Sequence, residues 1–207
     1  MGDDLEGGLV TRWGAAGAGD VKRIEAADWR EWPPELSLFD DRDEAVRVAR
    51  EKLVPEEGAG HVLRVQARDG EPTGVIVEEA DWRGPVPDSE FAEGPELPKA
   101  WRSYLQSPSW LRRGWLSSGK YVWLYPPVEA RQLLAIWETE GTHPGIALIG
   151  GDGGLENFVL DLRQDPAPVL LVSNASESWD DAVVQAADIE AFIARIEDGT
   201  FDLTWNA

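Results

Sequence analysis

Four of the five residues at 150–154 are glycine, within the run LIGGDGGLENFVLDLR at 148–163, and that run lies between apolar stretches. A phosphate loop needs G-x-x-x-x-G-K-[ST] ahead of a helix, so that backbone N–H groups and a lysine converge on the anion. The segment GGDGGLEN has no lysine, brings acids instead, and leads into NFVLDL, which reads as a strand. It also fails G-x-G-x-x-G, because counting from Gly151 the last glycine position is Glu156. A single GGDGG is not a stacked calcium-binding repeat, and the acid spacing of an EF-hand is absent. The expectation is therefore structural. The glycines and Asp152 supply positive φ angles where two strands meet.

The strands on either side are GIALIGG and NFVLDL, followed by a third, PVLLVSN. Ahead of them KYVWLYP reads as a strand ended by two prolines. PVEARQLLAIWETEG reads as a helix with Ala130, Leu133, Leu134 and Trp137 at helical spacing. The last helix, DIEAFIARIEDG, has Asp188 as cap, an apolar stripe of Ile189, Phe192, Ile193 and Ile196, and Gly199 at C′. LPKAWRSYL opens another, with Pro98 in its first turn and Trp101, Tyr104 and Leu105 on one face.

Nearer the start, LVTRW and DVKRIEAADW read as short strands separated by a flexible GAAGAGD. DDRDEAVRVAREKL reads as a helix with Asp41 as N-cap, Glu44 three residues on, and Val46, Ala49 and Leu53 as its stripe. HVLRVQAR alternates, with Leu63, Val65 and Ala67 on one side and Arg64, Gln66 and Arg68 on the other. With RDGEPTG as turn and VIVE as return strand, residues 61–78 form a predicted hairpin. Residues 83–98 carry four prolines and mark the boundary between an N-terminal part, 1–92, and a second domain, 93–207.

Composition restricts the chemistry. The 207 residues include no cysteine, which excludes disulfides, thiolate zinc sites and a cysteine nucleophile. The start has neither a basic region nor an apolar core of a secretory signal, and no apolar run approaches the ~20 residues of a membrane span. A cytoplasmic location is expected. With 39 acids against 19 bases the net charge is −20. Such a chain repels nucleic acid and anionic membranes and attracts basic partners. The eleven tryptophans run from Trp13 to Trp205 and read as packing rather than as one stacking platform.

Other candidate motifs fail in turn. GWLSSGKY spaces Gly114, Gly119 and Lys120 as a phosphate loop does, but Tyr121 stands where Ser or Thr would ligate magnesium, and a strand follows. His61 begins a strand and His143 precedes Pro144. Neither belongs to an H-x-x-x-H or HExxH pattern that would hold zinc. No serine elbow or paired acidic signature is visible. No residue is assigned to catalysis, a cofactor or a metal, and the partner-binding residues stay unassigned.

The second half, read in order as ELPKAWRSYL, YVWLYPPVEA, GIALIGGDGGLENFVLDLR, PVLLVSN and DIEAFIARIEDG, resembles the SMI1/KNR4 family of the SUKH superfamily over residues ~95–200. The matching positions are Leu97 and Pro98, Pro127 and Glu129, Ile149 to Gly154, Asp161, and Phe192 with Ile193. The asparagine-glycine-glycine segment usual after the first helix is replaced by QSPSWLRRGWLSSG. The resemblance implies an α+β fold with a central, largely antiparallel or mixed sheet packed by helices, here with an N-terminal α/β elaboration. It also implies a non-catalytic module, often an immunity protein neutralising a bacterial toxin such as a nuclease, and it supplies no catalytic residues. The partner expected from charge is a basic toxin, occluded by an acidic surface that mimics phosphates. A regulatory or scaffold protein of the same family is the alternative. A hydrolase with carboxylates in a tryptophan-lined cleft is the third reading, marked by acids gathered in a pocket with raised pKa values.

Overall fold

The computed structural model describes residues 10–26, 37–68, 71–137 and 141–205, with the side chains of 25–26, 71–72 and 74–77 excepted. The chain divides into two units, Met1–Gly84 and Pro85–Ala207. Both are α+β, and every strand pairing described within them is antiparallel.

In the N-terminal unit the strands run in the order β4 (Glu71–Arg83), β3 (Ala59–Arg68), β1 (Val10–Gly17), β2 (Ser37–Phe39). The alternation in HVLRVQAR holds: Leu63, Val65 and Ala67 are buried while Gln66 and Arg68 are exposed. Two expectations for the start of the chain do not hold. GAAG is the end of β1 rather than a flexible spacer, and VKRIEA lies in α1 (Ala18–Ala26) rather than in a strand. Both follow from packing. Val21 and Ile24, three residues apart, present one helical face to Ala16, Leu63 and Val65. Small residues close β1 where Ala15 and Ala16 are buried, Ala16 against Val21, Ile24, Leu63 and Val65. Residues 27–29 of the expected strand lie outside the described residues.

The helix expected at 41–53 starts as read, with Asp41 accepting from the Asp43 backbone N–H rather than closing a box with Glu44. It does not run straight. After α2 (Arg42–Val48) comes a π-helical turn, Ala49–Leu53, then α3 (Val54–Glu57), ended by Gly58 at φ 77°. Pro55 explains the widened turn, since a prolyl residue offers no N–H and its ring presses on the carbonyl four residues back. The turn lies directly on β3, where a Cβ on Gly60 would come within 2.2 Å of the Ala49 carbonyl oxygen.

The C-terminal unit is a meander of six strands in sequence order: β5 (Trp110–Trp115), β6 (Tyr121–Leu124), β7 (Ile146–Gly151), β8 (Glu156–Asp161), β9 (Val169–Ser173) and β10 (Val183–Ala186). Period-2 alternation sends adjacent residues to opposite faces. Val159, Leu170 and Val172 pack with Ala130, Leu133 and Leu134 of α5 (Pro127–Trp137). On the other face Phe158 meets Phe192 of α6 (Ile189–Glu197) and Phe201, with ring centroids 5.1–5.5 Å apart. Asp188 caps α6 by accepting from Ala191, and Gly199 follows at φ 72°. The helix α4 (Lys99–Leu105) buries Trp101, Tyr104 and Leu105, with Pro98 at its N-cap rather than inside its first turn. Strands β5 and β10 have no counterpart in the sequence reading. The first lies in the segment that departs from the family pattern, and the second is four residues long.

Candidate functional site

The glycine-rich loop turns the chain between β7 and β8. Of the loop's four glycines only Gly153 has the expected positive φ, 79°; Gly150 is instead required by close approach, since a Cβ there would lie 2.5 Å from the Trp123 carbonyl oxygen. Asp152 serves through its side chain, accepting from the N–H groups of Gly154 (2.7 Å) and Glu156 (3.3 Å). The amides of Asp152, Gly154 and Glu156 therefore bond within the loop. The second glycine motif is also a hairpin turn. Gly114 pairs with Val122, Gly119 has φ 77°, and Lys120 pairs with Asp202 at 3.3 Å.

His143 is fully buried and packed between Trp137 and Trp179, at centroid distances of 5.8 and 5.1 Å. Burial lowers its pKa, which keeps the imidazole neutral at neutral pH. Its Nε2 lies 3.3 Å from Ser176 Oγ, but Nδ1 faces the Thr142 hydroxyl at 2.8 Å. Asp181 contacts Ser176 rather than the imidazole. A nucleophilic triad would need a carboxylate on the far nitrogen, so the node's geometry is that of a loop anchor. Trp137 and Trp179 extend it by donating to the carbonyls of Asn174 and Pro144.

A groove of about 510 Å³ lies in the C-terminal unit, between the segment 91–97, α4 and α5. Its walls are held by Arg131, whose Nη1 donates to the carbonyls of Glu90 (3.0 Å) and Glu93 (2.8 Å). Arg102 pairs with Asp88 at 2.8 Å, holding that carboxyl below its usual range, and lies over the Phe91 ring. Inside, Leu97, Trp101, Pro127, Leu134 and Leu148 are apolar and Tyr125 supplies a phenol. Burial and the nearby Glu129 raise the phenol's pKa, so it stays neutral. No serine, threonine or histidine is among the described residues of the lining. The groove offers apolar contact edged by charge.

The positions that carry the family resemblance are dispersed through the unit. Leu97 and Pro127 line the groove. Glu129 pairs with Arg112, whose guanidinium also donates to the Leu124 carbonyl. Asp161 is buried and receives a two-pronged grip from Arg163, at 2.7 and 2.9 Å. Phe192 is core. Sequence reasoning assigned residues 83–98 to a boundary and so missed that part of them walls a groove. The aromatic and leucine positions of LPKAWRSYL were the available signal.

Charge has its own geography. Between Arg163 and Arg195 no basic residue occurs, while Asp165, Glu177, Asp180, Asp181, Asp188 and Glu190 do. That stretch contains β10, which ends the strand order of the unit, and Val184 on it is 58% exposed. Glu177, Asp180, Asp181 and Glu190 are exposed on the elements that flank β10. In the N-terminal unit His61 is buried beside Glu78 and Asp81. No helix among the described residues is long and apolar enough to cross a membrane. No protein-family model matches the chain, and no curated protein matches it in sequence.

Proposed function

We propose that this chain is a non-catalytic protein-binding module of the immunity type, which neutralises a basic toxin such as a nuclease by covering it with an acidic surface. The observation that carries the reading is the stretch 164–194, which contains no basic residue and whose exposed acids lie on the segments before and after the edge strand β10 in sequence. An edge strand presents backbone groups for pairing; on β10 the Val183 and Gln185 carbonyls already accept from the Gln185 and Arg195 side chains, which leaves the rest of the strand for a partner, and neighbouring negative charge selects a cationic partner and suppresses anionic ones. The apolar side chain of Val184 adds a contact that excludes water. The hydrogen bonds of the glycine loop and of the His143 node support the same reading, because both arrangements are explained by holding loops.

The test is co-expression with the toxin encoded beside the gene, followed by inhibition of purified toxin at one-to-one stoichiometry. Steered association reaches on-rates of ~10⁸ M⁻¹s⁻¹ at low salt. Raising salt from roughly 50 to 500 mM should slow association far more than it speeds dissociation, because screening acts on the long-range approach. Reversing charge with Asp180→Lys and Asp181→Lys together should lower the on-rate. Inhibition that ignores both salt and these changes refutes the acidic-surface mechanism. Failure to protect against any neighbouring toxin refutes the immunity role and favours the regulatory or scaffold alternative.

A further inference from the structure

We propose that His61, Glu78 and Asp81 form a binding site for a divalent cation of the zinc type, built into the β3–β4 hairpin of the N-terminal unit. The site is independent of the acidic surface described above. His61 and Asp81 face each other across the two strands, and regular alternation from Asp81 would bring Glu79 to the same face. The register instead shifts between Val62, which pairs with Ala80, and Leu63, which pairs with Glu78. Glu79 is the extra residue of this bulge. Its carboxylate meets Arg64 Nε at 3.1 Å, while Glu78 is turned to His61. Bulges re-aim side chains in this way next to functional sites.

The result is one imidazole and two carboxylates gathered in a buried place. His61 Nδ1 lies 2.5 Å from Glu78 Oε1 and 3.9 Å from Asp81 Oδ1, and the three ligand atoms all fall within 4.8 Å of one another. The side chains are 5%, 18% and 2% exposed, so the more accessible Glu78 lies toward solvent. Zinc binds nitrogen and oxygen donors at ~2.0–2.2 Å, which places two tetrahedral ligand atoms roughly 3.3 Å apart. The observed pair distances bracket that value, so side-chain rotations of under about 1 Å would close the shell. Asp81 is already oriented from behind: Arg83 Nη2 donates to Oδ2 at 2.8 Å, and Arg83 Nε forms an ion pair with Oδ1 at 2.8 Å. Such outer partners fix a ligating carboxylate and hold its orientation. Three protein ligands leave a position for water, and oxygen-nitrogen donors suit zinc in a chain that has no thiolate to offer.

The chain has two histidines, which gives a test on the unaltered protein. Chelator-treated protein, labelled with ¹⁵N at histidine, is titrated with zinc chloride at pH 7.5 while ring-nitrogen shifts are followed by NMR and stoichiometry by calorimetry. The expected result is one ion per chain, a large shift at His61 Nδ1, and an unmoved His143. Glu78→Gln and Asp81→Asn should each weaken binding at least tenfold, with folding checked by circular dichroism. Acidification should release the ion, because a protonated imidazole cannot ligate. An unmoved His61 ring at a hundredfold excess of zinc overturns the proposal and leaves a hydrogen-bonded buried cluster. Zinc uptake that Glu78→Gln does not weaken also overturns it, since the ion would then be held by surface acids.

Discussion

Replacing Asp161 by Asn removes a buried charge whose energetic role can be worked out from its surroundings. Asp161 is 2% exposed and accepts from Arg163 Nε at 2.7 Å, Arg163 Nη2 at 2.9 Å, the Arg163 backbone N–H at 3.2 Å and Gln164 at 2.7 Å. The Arg163 side-chain hydrogen bonds lead in lowering its pKa from 3.8 to about 2, against the opposing effect of burial. At about 1.4 kcal/mol for each tenfold change in proton affinity, the drop corresponds to roughly 2.5 kcal/mol. The Arg163 side chain is 46% exposed, and solvent screening reduces the expected contribution to about 1–2 kcal/mol. Because the folded pKa lies below the unfolded one, this stability is present above about pH 4 and is lost as pH falls toward 2. Asp161→Asn should therefore lower the urea midpoint at pH 7, and its deficit should shrink by about half at pH 3. Tryptophan fluorescence is a suitable probe, since Arg163 lies 4.9 Å over the Trp179 ring. A deficit of equal size at pH 7 and pH 3 would refute the charge argument and assign the loss to hydrogen-bond geometry alone.

Gly153→Val should destabilise the C-terminal unit by about 1–3 kcal/mol, because a branched residue is strained at φ 79° and its Cβ would meet Tyr121 at 2.9 Å. Calorimetry with ATP and with calcium should give the same result before and after that change; binding abolished by it would reinstate a ligand role for the loop. Tyr104→Phe should cost about 1–3 kcal/mol in thermal or urea unfolding, since the hydroxyl accepts from the Leu111 N–H at 3.1 Å and donates to Glu197 at 2.7 Å. An unchanged unfolding midpoint would mean that another acceptor, such as water, reaches that amide.

The sequence alone was sufficient wherever structure is set by neighbours along the chain. The alternation in HVLRVQAR, the three apolar runs around the glycine loop, and the spacing of Ile189, Phe192 and Ile196 behind Asp188 each specify their element, because burial on one face imposes a period that residues a few positions apart record. The same local signal failed at GAAG and VKRIEA. There small residues and two apolar positions are decided by what packs over them: Leu63 and Val65 against Ala16, Val21 and Ile24. The groove was legible only in the apolar positions of LPKAWRSYL, since its walls depend on Arg131 reaching carbonyls some 40 positions earlier in the chain. His61 shows the division most sharply. Its sequence neighbours contain no metal pattern, and strict alternation would have given it Glu79. A bulge, which is a property of pairing between strands, puts Glu78 there instead, beside the Asp81 that regular register already places opposite His61. Local periodicity is written in the order of residues, but register is an energy balance over the whole sheet, and only the tertiary structure resolves it.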